Sequence, residues 1–426
     1  MILIYTQKTS PRISYVFKHV FKRILGAGVS FTSVIEEFIA CETPKISYGK
    51  HPLGNELFFQ SHGLLSQQGI ENQDILVEKW GDTVGFFAVS EKSALPYDVF
   101  AAAFYLLSRY EEYLPHVKDR TGRYPVKESL AFKHGFLQLP VVDHWARHVQ
   151  QLVTARYPGV PWQCPTVKKH SIIAVSQPYE FLEKGLFRTV TGAMHDLGKG
   201  NFKRVLERVR VRLKLKKDPC DNYDWVLNKS KGAKWPVSFF FILGEAPHFE
   251  QSINTYRKNY AKLIKHVGDY KNVGLIFSHK ALRDFNMMKK EKKRMDNIRH
   301  QETQITMHAC NLVQLPGLYR NLVELEVKQD FTLYYRDTPG FRAGTCTPFL
   351  FYDLDFEIKT PLIVQPISLC STISETENTE GVSKIFNTLQ NEVKIVGGTL
   401  AVVFSNKDFA DRPGNTACKQ LFSQML

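Results

Sequence analysis

The sequence predicts an α/β protein in two parts: a smaller mixed α+β domain over residues 1–160, followed over residues 168–426 by a barrel or doubly wound sheet. Three observations carry this. Apolar runs SIIAVS, VSFFFIL and VGLIFS alternate with helix-periodic stretches, the pattern of β/α units. The run Val237–Leu243 is apolar almost throughout, as expected of a parallel strand buried on both faces. Between the two parts, YPGVPWQCP packs three prolines and a glycine into nine residues, which places the break near Tyr157–Lys168.

Met1–Tyr5 alternates as a short strand, and Tyr15, Val16, Val20, Phe21 and Ile24 recur at helical spacing. In PYDVFAAAFYLLSRYEEYLP, Phe100, Phe104, Leu107 and Tyr110 share one helical face between Pro96 and Pro115, which predicts a core helix. A second helix is expected over Val141–Arg156. Beyond the break, helices are expected near Glu180–Arg188, Phe202–Leu215 and Ser252–His266. In the basic one, Phe202, Val205, Leu206, Val209 and Leu213 should pack inward and leave Lys203, Arg204, Arg210, Lys214 and Lys217 outside.

Composition narrows the function classes. With 426 residues, 43% apolar and 23% charged, the chain is neither disordered nor fibrous. Seven scattered cysteines without a C-x-x-C pair suggest neither a disulfide framework nor a zinc ribbon, so a reducing, cytoplasmic location is expected. No run of about 20 apolar residues is present, so no membrane span is expected. The start is broken by Lys8, Pro11 and Arg12 before a signal-peptide core forms. A net charge of +14 favours anionic partners such as acidic glycans, nucleic acid or a membrane surface.

Generic catalytic signatures are missing. The glycines at Gly26–Gly28 and Gly192–Lys199 do not have nucleotide-loop spacing, and neither G-x-S-x-G nor H-E-x-x-H occurs. Two basic segments, Asn201–Lys217 and Lys289–Arg299, read as solvated faces or as tracks for an anionic backbone. His308 and Cys310 stand too close together for an ordinary metal clip, and His279 stands alone after a strand. The densest polar constellation is QDFTLYYRDTPGFRAGTCTPFLFYDLDFEIKT, where Asp330, Arg336, Asp337, Arg342, Asp353, Asp355 and Glu357 sit among aromatics. Such a lining suits sugar hydroxyls and CH faces; equally, Arg342 bridges strands and Asp353 and Asp355 cap turns.

The chain resembles the polysaccharide deacetylases, the NodB-like carbohydrate esterases, of the Bacteroidetes type with an extra N-terminal domain of unknown role. The resemblance rests on AAAFYLLSRYEEYLP, DRTGRYP and ESLAFKHGFLQLPVVDHWA, and then on EKGLFRTVTG, KKDPCDNYDW, FFFILGE, LPGLYRNLVE and GFRAGTCTPFLFYDL. It implies a distorted barrel of seven β/α units. It also implies a divalent metal such as zinc, held by Asp and His, that activates water against an acetyl carbonyl, with a second Asp as base and a late His as acid.

At the positions that match, those residues are replaced. IAVSQPY puts Ala174 at the base and Ser176 at the metal-binding Asp, GLIFSH puts Ile276 at the ligand His, and FSN puts Ser405 at the acid His. The catalytic set and the cofactor are therefore expected to be absent, with His279 and His308 as the remaining metal candidates. The surviving framework is Arg342, Pro348, Phe349, Asp330, Tyr319 and Arg320, and the substrate-binding candidates are Arg342, Asp330, Asp353, Asp355, Phe349 and Tyr319. The expected function is a non-catalytic glycan-binding or accessory protein in cell-envelope polysaccharide metabolism, holding a polysaccharide or acyl-sugar ligand rather than nucleic acid. Two alternatives stand beside it: an active deacetylase with a rebuilt site, and a protein-interaction partner of an active paralogue.

Overall fold

The computed structural model describes residues 1–184, 186–244, 255–412 and 414–426, and of 186–188 only the backbone. The N-terminal part is built on a four-stranded sheet, β1 (Ile2–Tyr5), β2 (Val29–Thr32), β3 (Lys45–Gly49) and β4 (Leu57–Gln60), in the order β2-β1-β3-β4 with every pair parallel. A two-stranded antiparallel ribbon, β5 (Glu78–Trp80) and β6 (Thr83–Gly85), lies outside it.

The helix Val99–Leu107 is buried along its whole length, as its unbroken apolar run dictates. Asp98 caps it by accepting from the Ala101 amide at 3.0 Å and also takes the Tyr48 hydroxyl at 2.7 Å. Phe100 stacks on Phe17 with ring centroids 4.0 Å apart. The expected helix does not continue to Pro115. Arg109 adopts a left-handed conformation (φ 56°), and a separate turn of helix covers Tyr110–Tyr113. The kink serves the Arg109 side chain, whose guanidinium is buried against Glu111 and Glu112. The helix Val141–Arg156 forms as expected.

The C-terminal part carries a nine-stranded, mostly parallel sheet. Its strands are β7 (Val167–Val175), β8 (Val237–Ile242), β9 (Asn272–Phe277), β10 (Ile305–His308), β11 (Gln329–Asp330), β12 (Phe349–Asp353), β13 (Ile358–Val364), β14 (Leu369–Cys370) and β15 (Gly398–Ser405). The order is β12-β13-β11-β10-β9-β8-β7-β15-β14, and among the described residues only β12 and β13 of this sheet pair antiparallel. The hydrogen-bonded ladder does not close among the described residues. The chain itself nevertheless passes from β13, next to the edge strand β12, to the opposite edge, since β13 pairs with β11 and, a few residues on, β14 pairs with β15.

Side-chain alternation splits this sheet between two cores. Ile172, Phe240, Ile276, Met307, Phe331, Ile367 and Val403, drawn from strand after strand, pack on one another in a cluster of their own. The alternate residues, among them Ile173, Phe239, Leu275, Val364 and Phe404, join a larger core that runs through both parts of the chain. The hairpin β12–β13 makes much of that junction: Tyr15 lies 5.0 Å from the Tyr352 ring and donates to the Leu350 carbonyl at 2.8 Å, and buried Arg12 pairs with Glu357. On the other side, Asp143 accepts from the Cys346 amide at 3.0 Å and the Thr347 hydroxyl at 2.6 Å.

The expected helix at Glu180–Arg188 is displaced to Leu186–Gly198, and the one near Ser252–His266 forms over Lys258–Gly268, its first expected residues lying outside the described ones. All seven cysteines are free. Among the described residues no helix is long and apolar enough to cross a membrane.

Candidate functional site

The substrate-binding candidates do not gather in a cleft. Arg342 is buried, and the partner of its guanidinium is Glu112, which accepts from Nε at 3.0 Å and from Nη2 at 2.9 and 2.8 Å. Its face rests 5.0 Å from the Tyr335 ring, and its carbonyl takes a hydrogen bond from Arg109. The carboxylate that Arg342 holds comes from the N-terminal part, because the Arg109 kink turns Glu112 inward. Asp353, buried, and Asp355, at the surface, both hold Arg320 and shape the β12–β13 turn. Phe349 is buried edge-on to His19.

Asp330, Tyr319 and His308 meet in a closed polar cluster on the helix-facing side of the sheet. The fully buried Asp330 carboxylate accepts from the Tyr319 hydroxyl at 3.1 Å, the Thr332 hydroxyl at 2.8 Å and the Thr332 amide at 2.9 Å. His308 Nδ1 sits 3.2 Å from the Thr332 hydroxyl, and burial pushes its pKa down despite the Asp330 charge. Met307 and Ala309, its neighbours in sequence, face the interior cluster instead.

The positions that the resemblance assigns to catalysis fit no metal. Ala174 and Ile276 carry no donor and pack with the interior cluster. Ser176 is exposed, and Ser405 caps the short helix Asn406–Phe409 through reciprocal bonds with Asp408 and the helix amides. His279 is half-buried, with no hydrogen-bonding or ionic partner among the described residues. Among the described residues, no three His, Cys, Asp or Glu side chains converge as a metal set.

The structure does assemble a cleft of about 390 Å³ beyond the C-terminal ends of β7 and β15, walled by the helices Leu186–Gly198 and Phe202–Arg212. Asp218 fixes its floor: the carboxylate accepts from the amides of Glu180, Phe181 and Leu182 at 2.8–3.0 Å and from that of Cys220 at 2.9 Å. Asn406 ties the loop after β15 to the loop after β7 by donating to the Gln177 carbonyl at 3.0 Å.

Six cationic side chains, Lys184, Lys199, Arg204, Arg208, Lys407 and Arg412, face two carboxylates in its lining. Both carboxylates are engaged. Glu180 holds Arg412 at 2.6 Å and Arg204 at 3.4 Å, while Asp196 holds Arg208 at 2.5 Å and Arg204 at 3.7 Å. Lys199 and Lys407 have no carboxylate within 4 Å among the described residues, and the buried Arg208 Nε has no hydrogen-bond partner. Burial and the Arg208 charge push the Lys184 pKa down. Gln177, Thr191 and Asn201 add neutral polar groups to the wall. A shallower groove of about 550 Å³ shares Asn201, Arg204 and Arg412 with the cleft and adds Lys203, Leu206, Arg210, Lys216 and Glu207, the last pairing with Lys216 at 2.5 Å. Excess positive charge in a partly desolvated cavity favours an anionic ligand.

Sequence reasoning singled out Lys203, Arg204 and Arg210 on the basic helix but not Glu180, Asp196, Lys407 or Arg412, which arrive from three other segments. It also turned the helix the wrong way. Arg208 and Val211 face inward, and the apolar stripe Phe202, Leu206, Val209 and Leu213 faces solvent. Arg208 wins the inner face through its ion pair with Asp196 and its seat over the Phe181 ring at 5.1 Å. The second basic helix, Phe285–Arg299, buries Met288, Glu291 and Met295.

The model of a family of unknown function, DUF7033, matches residues 2–158. No curated protein matches. Solved structures to which the chain is similar include a putative polysaccharide deacetylase from Mycobacterium smegmatis, at 14% identity over 62% of this chain and 85% of that one, with a TM-score of 0.38. Another is the PuuE allantoinase, at 11% over 61% and 84%, with a TM-score of 0.37. A third is a mutant of a CE4-family pseudoenzyme with restored enzymatic activity, at 6% over 66% and 77%, with a TM-score of 0.31. At such scores the likenesses are too distant to set fold or activity.

Proposed function

We propose that this chain is a polysaccharide-deacetylase-like barrel that has lost metal-dependent hydrolysis and binds an anionic carbohydrate, such as a uronate or a phosphorylated sugar, in the basic cleft. The observation that carries the reading is the filling of the strand interior. Ile276 and Ala174, where the resemblance calls for a ligand His and a base, pack with Met307 and Val403 around the same apolar cluster. The barrel is inferred from that cluster and from the passage of the chain from β13 to β14. A hydrolytic water would need a charged, open position here, and the cluster supplies neither. The cleft concentrates six cationic side chains against two carboxylates at this end of the strands, and its volume lies within the range of about 300–1,000 Å³ usual for small-molecule sites.

Calorimetric titration with a galacturonate oligomer and with a neutral chito-oligomer tests the reading. Binding of the acidic sugar alone, weakened at least about tenfold by Lys407→Ala with Lys199→Ala, is the expected result. Equal binding of both sugars, or acidic-sugar binding indifferent to these substitutions, contradicts it.

A further inference from the structure

The helical hairpin that walls the cleft carries a second surface on its outer side. At about 3.6 residues per turn, Val190, Met194 and Leu197 share one stripe of the first helix, and Phe202, Leu206, Val209 and Leu213 share one stripe of the second. All seven are exposed, Met194 by 66% and Phe202 by 70%. Single exposed apolar residues are ordinary, but seven on two adjoining helices form a patch.

The two stripes lie side by side. Asp196 pairs with Arg204 and Arg208, and Gly192 backs onto the Arg208 guanidinium, where a Cβ would lie 2.8 Å from Nη1; this fixes an antiparallel register. On each helix the stripe begins roughly a quarter to a third of a turn from the Asp196–Arg208 contact, in the same rotational sense. Two antiparallel helices facing one another then show both stripes on the same side, away from the cleft, with Leu206 alone also bordering the shallower groove.

The border of the patch is basic. Lys203 and Arg210 flank the second stripe on one side and Arg212 on the other, and Lys214, Lys216 and Lys217 follow directly. Lys203, Arg210, Arg212 and Lys214 have no carboxylate within 4 Å among the described residues. A second copy of the chain would bring the same positive border against this one, so self-association through the patch is disfavoured. An apolar helical face edged with Lys and Arg is the arrangement that lies in the interface of a bilayer, its charges at the headgroups and its apolar side chains at the acyl boundary.

We propose that the hairpin of residues 186–215 docks the protein peripherally on an anionic lipid bilayer through the stripe Val190, Met194, Leu197, Phe202, Leu206, Val209 and Leu213. This surface is distinct from the carbohydrate cleft, and the docking does not depend on what the cleft holds. Co-sedimentation of the full chain with vesicles of phosphatidylcholine alone, and of equal parts phosphatidylcholine and phosphatidylglycerol, tests it. The wild type should pellet with the anionic vesicles and not with the neutral ones. Met194→Asp with Leu213→Asp, both at exposed positions, should lower the partition coefficient at least about tenfold at an unchanged melting temperature. Arg212→Glu with Lys214→Glu should lower it too, and provides the readout if the first variant melts early. Failure of the wild type to pellet overturns the proposal, as does equal pelleting of both variants. So does a concentration-dependent dimer on gel filtration that Met194→Asp with Leu213→Asp dissolves, since a second copy would then be what covers the patch.

Discussion

Glu112→Ala is the substitution with the most to say about how the two parts of the chain are joined. The Glu112 carboxylate takes three hydrogen bonds from Arg342 and one, at 2.9 Å, from Arg109 Nε, with all three side chains buried. Arg109 keeps Glu111 at 2.6 Å, so the variant strands Arg342, left with the Tyr334 carbonyl at 3.4 Å and the Tyr335 ring. Breaking a buried pair from one side costs about 3–5 kcal/mol, and the figure should fall in that range. Burial alone would raise the Glu112 pKa, but the Arg342 and Arg109 charges outweigh it and hold the carboxyl below its ordinary value of 4.5. Its stabilisation is therefore present above about pH 4.5 and lost as pH falls through the depressed folded value. Urea unfolding followed by tryptophan fluorescence reads the loss. Glu112→Met with Arg342→Met should recover most of it, because two apolar side chains leave no stranded charge. A cost below about 1 kcal/mol for Glu112→Ala, or a double variant no better than the single, would refute the reasoning.

Three further outcomes follow from buried groups elsewhere. Burial, aided by Arg23, pushes His19 down to about 3, and burial pushes His170 down to about 4, so both stay neutral in the folded chain while the unfolded chain takes up protons below about pH 6.5. Stability should fall by about 1.6 kcal/mol per histidine between pH 6.5 and 5, and thermal melts of His19→Leu should show a shallower loss on acidification. Gly340, at φ 146°, approaches the Leu137 carbonyl so closely that an added Cβ would lie 2.5 Å from its oxygen; Gly340→Ala should cost about 1–3 kcal/mol by denaturant titration. Asp218→Ala frees four amides beneath the cleft; it should lower stability by about 1–3 kcal/mol and weaken carbohydrate binding in calorimetry by loosening Glu180.

Periodicity made the regular elements legible: Val237–Ile242 and Val141–Arg156 are where apolar spacing put them. Where a buried ion pair competes with apolar spacing, the pattern misleads. Arg208 took the inner face of its helix from Leu206 and Val209, and Arg109 broke a run of residues that reads as one helix. The short strands β11 and β14, two residues each, carry too little pattern to be read at all. Ala174 and Ile276, the positions that the resemblance matches to a base and a ligand His, could be named from the sequence because motif matching is local. The cleft could not, because Glu180, Asp196, Lys407 and Arg412 converge only through the pairing of β15 with β7.

The most direct measurement of the central claim is the native mass spectrum of the purified full chain after equilibration with zinc, paired with an acetate-release assay on an acetylated glycan. An interior filled by Ile276, Ala174 and their neighbours predicts a spectrum at the metal-free mass and no acetate above background. One zinc per chain accompanied by acetate release would contradict the account.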